Sequence, residues 1–160
     1  MNDLKKRTKK YRPNVAAIIL SSKYPEKVEF FIASRNDVKD AWQFPQGGID
    51  EGESPKEALF RELKEEIGTD EVEIITEYPD WISYDFPEMI AKKMYPFDGQ
   101  RQKYFLVRLK PGAKIDLETE EPEFSQYTFV PFHEIFNYIT YFKRPIYKRV
   151  LDYFKKKGYL

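Results

Sequence analysis

The chain has 160 residues, 27 basic and 27 acidic, with one His and no Cys; that length fits a single domain, and 41% hydrophobic with 17% aromatic residues excludes global disorder. Without Cys there are no disulfides, thiolate zinc sites or Cys nucleophile; no apolar run reaches the roughly 18 residues of a membrane span, and Val15–Leu20 is shorter than the roughly 7–15-residue core of a secretory signal, so the cytoplasm is the expected compartment. The zero net charge is unevenly laid out: residues 1–12 and 143–160 together hold 13 of the basic residues and 2 of the acids, leaving the middle with 14 basic against 25 acidic residues.

In chain order, residues 1–10 read as a basic tail and 11–160 as one domain. Asn14–Leu20 and Val28–Ser34 are β-branched apolar runs joined by a turn-rich stretch, which predicts a hairpin with a longer loop. Ala41–Phe44 is a short apolar piece before Pro45 and Gly47-Gly48. Ser54 to Gly68 is the clearest helix: Ser54 caps it, Pro55 suits its first position, Glu57 completes a capping box and Gly68 stops it. Val72–Tyr78, Trp81–Phe86, Tyr104–Leu109 and Tyr127–Val130 read as strands, and His133–Ile139 as a short helix. Pro145–Lys157 carries apolar residues at 146, 147, 150, 151 and 154, an amphipathic C-terminal helix. Strands and helices intermix without a regular βαβ rhythm. The expected fold class is therefore α/β, a mixed sheet with helices packed on its faces.

The Ser54 helix carries the chemistry. With Leu59 at zero, Leu63, Ile67 and Phe60 fall at about 40°, 80° and 100° and form the core stripe. Glu62, Glu65 and Glu66 fall at about 300°, 240° and 340°, one neighbouring arc, while Arg61 and Lys64 take the remaining side. Like charges at these spacings repel on a surface helix, and more strongly where they are partly buried. A helix selected for stability alone would interleave Lys here. Hard divalent cations want such a set, because Mg²⁺ takes carboxylate oxygens, keeps waters and binds phosphate oxygens. A solvated acidic face is the other reading of the cluster. Ala58 lies inside the arc, where its small side chain lets the Gly47-Gly48 segment come close.

The spacing around this helix is specific. Gly47, five residues, Glu53, seven residues, then Arg61-Glu62-Leu63-Lys64-Glu65-Glu66-Ile67-Gly68 resembles the signature of the Nudix hydrolase family, with Thr69 where an aliphatic residue is usual. Such a match arises by chance less than about once in a million chains of this size. The resemblance implies an α/β/α sandwich and hydrolysis of a nucleoside diphosphate linked to another moiety. It implies that Glu62, Glu65 and Glu66 bind metal, with Glu66 the first choice as base. Gly47 or Gly48 would offer a backbone carbonyl to the metal, and Glu53 and Arg61 would brace the loop against the helix.

Tyr11–Val15, Trp42–Gly48, Gly99–Leu106, Pro122–Phe124 and Phe142–Arg144 extend the resemblance to the bacterial RNA pyrophosphohydrolases, also described as dinucleoside polyphosphate hydrolases. That resemblance implies Mg²⁺, or Mn²⁺, and a 5′-triphosphate RNA trimmed to a monophosphate. A dinucleoside polyphosphate such as diadenosine tetraphosphate is the alternative substrate, and a non-catalytic nucleotide- or RNA-binding domain the alternative class. Neither DNA nor a membrane is an expected partner. Glu123 matches a distant carboxylate that joins the metal and is the second choice as base; Glu62 completes the catalytic set. Arg12 matches an arginine that reaches RNA, and Phe142 an aromatic that stacks a base. From the residues alone Phe142 also reads as a core anchor. Lys143 is expected at a phosphate, Arg35 facing the substrate phosphates, and Tyr84 at the pocket.

Overall fold

The computed structural model describes residues 8–139 and 143–160. Eight strands form one mixed sheet: β1 (Tyr11–Leu20), β2 (Phe30–Arg35), β3 (Trp42–Gln43), β4 (Gln46–Gly48), β5 (Val72–Glu77), β6 (Ile82–Asp85), β7 (Gly99–Leu109) and β8 (Phe124–Val130). The helices are α1 (Pro55–Ile67), α2 (Glu88–Lys93) and α3 (Arg144–Lys156), with a 3₁₀ turn at Phe132–Asn137.

At the centre, β1 and β7 run parallel from Tyr11–Gly99 to Leu20–Arg108. A central strand covered on both faces needs apolar residues at every position, which is why Val15 to Leu20 shows no polar alternation. Ala16, Ile18 and Leu20 point to one core, with Tyr147, Val150, Leu151 and Phe154 of α3. Val15, Ala17 and Ile19 point to the other, with Leu59, Leu63 and Ile67 of α1. The result is the expected sheet between two helical layers.

The hairpin predicted for the first two runs closes only at Leu20–Phe30. The other half of β1, Asn14 to Ala16, pairs instead with β4, so β1 divides its outer edge between two neighbours. β7 does the same on its side, taking β6 at Gly99–Gln102 and β5 beyond. These divisions leave one end of the sheet open around β4.

Candidate active site

The α1 helix is set by the groups the sequence offers. The Ser54 hydroxyl accepts from the Glu57 N–H at 3.1 Å, and the Glu57 carboxylate accepts from the Ser54 N–H at 3.0 Å. Gly68 ends it in the left-handed region, φ 77°, where other residues are strained. Thr69 turns its departure from the signature to local use: its hydroxyl accepts from the Glu71 N–H at 3.0 Å. With Ala58 fully buried, β4 lies so close that a Cβ on Gly47 would fall on the Glu62 carboxylate, and one on Gly48 would meet the Arg12 guanidinium.

Glu62, Glu65, Glu66 and Glu123 line one acidic cleft together with Glu120 and Glu121. Glu66 is 3% exposed, and neither of its carboxylate oxygens has a hydrogen-bond partner. Burial, then the charges of Glu123 and Glu62, push its pKa well above the carboxylate range. Burial also raises Glu62, against the pull of Arg61. Glu65 is exposed, as are Glu120, Glu121 and Glu123.

The placement of Arg61 corrects the helical-wheel reading. Its long side chain reaches back across the arc, donating to Glu62 at 2.8 Å and Glu65 at 3.2 Å. It also grips Glu53 at two points, 2.7 and 2.8 Å, and donates to the Gly48 carbonyl at 2.8 Å. That two-point bond holds the Glu53 carboxyl down to about 2. One guanidinium thus ties the loop, β4 and the acidic arc together. The Gly48 carbonyl expected at a metal already accepts from Arg61, with its second lone pair remaining.

Glu123 arrives from far along the chain, positioned by Asn36 at the end of β2. The Asn36 N–H donates to the Glu123 carbonyl at 2.9 Å, and its side-chain amide to the Pro122 carbonyl at 2.6 Å. Arg12 and Arg35 line a cavity of about 330 Å³ with Glu62, Glu66 and Glu123. Arg35 is held by Asp37 through two hydrogen bonds, 2.8 and 2.6 Å. An adjoining recess is lined by Arg35, Val38, Tyr84, Met94, Gln100 and Lys143, among others. The buried Lys143 ammonium donates to Gln43 at 2.9 Å. Burial, then the neighbouring Arg35, hold its pKa down to about 7, with Glu66 opposing. Tyr84 donates to Gln100 at 2.7 Å, and burial pushes its phenol up to about 12. Phe142 lies outside the described residues. His133 is exposed and apart from the cleft lining.

A polar network under the cleft was not read from the sequence. Gln102 donates to Asn14 at 2.8 Å and to Gln46 at 3.0 Å; Gln46 donates to Gln100 at 3.2 Å; Tyr104 donates to Gln102 at 2.8 Å. The available signal was the alternation of Gln100, Gln102 and Tyr104 along one strand face, hidden because polar residues read as loop.

Among the described residues, no three acidic side chains already stand as a closed coordination set. The donors nonetheless fit a hard divalent cation, because two buried, unpartnered oxygens on Glu66 face the carboxylates that raise its pKa. Burial and the neighbouring carboxylates favour the protonated form of Glu66; a bound cation would instead compensate the charge of the carboxylate.

Residues 10–150 match the NUDIX domain. An RNA pyrophosphohydrolase from a Nitratiruptor species is 75% identical over 151 residues, which cover 94% of this chain and 97% of that protein. One from Helicobacter pylori is 59% identical over 152 residues, covering 95% and 98%. The E. coli dihydroneopterin triphosphate pyrophosphohydrolase structure superposes with a TM-score of 0.69 at 18% identity over 90% of this chain and 99% of that one, a likeness of fold. Because the match runs through the whole sheet as well as the Gly47–Thr69 segment, the chain belongs to the Nudix family.

Proposed function

We propose that this protein is a divalent-cation-dependent pyrophosphohydrolase that trims 5′-triphosphate RNA to 5′-monophosphate RNA. The observation that carries the reading is Glu66, a buried carboxylate without a hydrogen-bond partner, in a cleft that also presents Arg12 and Arg35. The names of the relatives at 59–75% identity support RNA as the substrate.

Glu62, Glu65, Glu66 and Glu123 would hold the cation, Mg²⁺ or Mn²⁺. When bound, it supplies charge neutralisation at the phosphates and a more acidic water. Arg12 and Arg35 orient the polyphosphate by charge-assisted hydrogen bonds, Arg35 from a side chain already fixed by Asp37. Glu66 takes the proton of the attacking water, with Glu123 the second choice. Water oxygen bonds to phosphorus, an anhydride P–O bond breaks, and pyrophosphate, or phosphate in two successive rounds, departs. Arg61 acts through others, fixing Glu53, Gly48 and Glu62. Intact carboxylates at 62, 65 and 66 argue against a domain that only binds nucleotides.

A competition assay tests the reading, with equal 5′-triphosphate RNA and diadenosine tetraphosphate and products resolved over time. RNA should be consumed first. Faster cleavage of the dinucleotide would overturn the RNA assignment, and binding without any product would overturn the enzyme assignment.

A further inference from the structure

The helix α3 presents a basic flank that the proposed reaction does not use. With Arg144 at zero, Lys155, Lys148, Lys156 and Arg149 fall within about 140° of arc, and Tyr147, Val150, Leu151 and Phe154 occupy the opposite side. The four on that opposite side are buried, and the five cations are exposed. Asp152 is the single acid on this flank, paired to Lys148 at 2.6 Å. A helix made merely soluble would carry acids at i and i+4 along its length. Three more of the cations are held in place: Arg144 donates to the Ile139 carbonyl at 3.1 Å, Arg149 donates to the Tyr78 hydroxyl at 3.0 Å, and Lys155 lies over the Phe132 ring at 4.9 Å.

The flank begins where the recess ends. Lys143, the residue before α3, lines the recess beside Arg35 and Tyr84, and Arg144 is the first exposed cation beyond it. The cleft itself is dominated by carboxylates and repels a polyanion apart from its metal-bound end. From Arg144 to Lys155 the helix spans about 16 Å, the length of about five stacked nucleotides at about 3.4 Å each.

We infer that this flank of α3 is a track for the single-stranded RNA body that follows the 5′ end, contacting its phosphates without reading its bases. The inference rests on the proposed RNA substrate and adds where the remainder of that substrate lies.

The test measures affinity for 5′-monophosphate oligonucleotides of 2, 4, 8 and 12 nucleotides, which resist turnover, at several salt concentrations. Wild-type affinity should rise with length up to about 8 nucleotides and then level off. The triple variant Lys148→Gln/Lys155→Gln/Lys156→Gln should lose about tenfold on the 12-mer, and its log–log salt slope should shallow by about 2. Turnover of a 5′-triphosphate dinucleotide should be unchanged. Length-independent wild-type binding, or full 12-mer affinity in the variant, would overturn the track. So would equal loss on the dinucleotide, since the lysines would then support the site. If the 5′-triphosphate dinucleotide is not hydrolysed while affinity for the 5′-monophosphate series still grows with length, the hydrolytic reading falls and the track stands.

Discussion

Glu66 shows how a single residue ties stability to chemistry. It is buried beside Glu62 and Glu123, and burial together with their charges raises its pKa. Glu66→Gln should lower turnover about 10²–10⁴-fold, the range for a lost proton acceptor. Melting of the metal-free variant should stay level or rise, because like-charge repulsion is relieved. Undiminished turnover would remove Glu66 from the reaction. Lys143 offers a pH test. Its folded pKa of about 7 lies below the ordinary 10.5, so between those values the unfolded chain binds more protons and stability rises with pH. The stability of Lys143→Met relative to wild type should therefore be greatest below pH 7 and shrink towards pH 10.5; urea midpoints at pH 6 and 10 measure it. A gap that widens with pH would contradict the burial assigned to this ammonium. At this scale the glutamates were legible because helical period fixes where a short side chain points. Arg61 was not, because a long side chain can leave the direction of its own Cα–Cβ bond.

Among the elements, α1 was readable nearly to the residue, since caps and stops are local chemistry: Ser54, Glu57 and Gly68 each act within one turn. The start of β7 was not. Gly99 to Gln102 lies before the strand predicted from Tyr104, yet it is strand, with the Gln100 and Gln102 amides buried in a network with Asn14, Gln46 and Tyr84. No neighbour in sequence announces those partners. β4 was hidden by its two glycines, residues that weaken a strand and mark close approach. α2 was missed because it buries no residue and so leaves no periodic signal. The segment after Pro131, expected as a helix, is wound more tightly as 3₁₀. The close approach of β4 to α1 gives its own test. Gly47→Ala should displace the Glu62 carboxylate and cut turnover more than tenfold; its melting temperature should fall only modestly, as expected for strain at one edge. Unchanged kinetics in a folded variant would show that the contact yields freely.

For the molecule as a whole, the acidic interior between basic ends predicts coupling between cation and stability. A ligand present at about 100 times its dissociation constant stabilises the native state by about 2.7 kcal/mol if the unfolded chain does not bind it. Adding magnesium should raise the melting temperature of the wild type and raise that of Glu66→Gln much less. Equal shifts would place the ion elsewhere. The layered architecture was legible because a strand buried on both faces must be apolar throughout; which strand pairs with which was not, since the division of β1 between β2 and β4 depends on contacts distant in sequence.

Ligand sites on parallel strands commonly lie beyond their carboxyl ends. Arg12, Asn14 and Gln100 stand instead at the amino ends of the parallel pair β1 and β7. The connection from Ser21 to Glu29 leaves the carboxyl end of β1, and so emerges on the opposite pole of the molecule. Tyr24 anchors that connection, donating to the Tyr159 carbonyl at 2.7 Å and packing on the α3 core, whereas Pro25, Glu26 and Lys27 are exposed: a peptide tag grafted at those three residues should leave catalysis untouched, giving a handle for immobilising the enzyme with its working end facing outward.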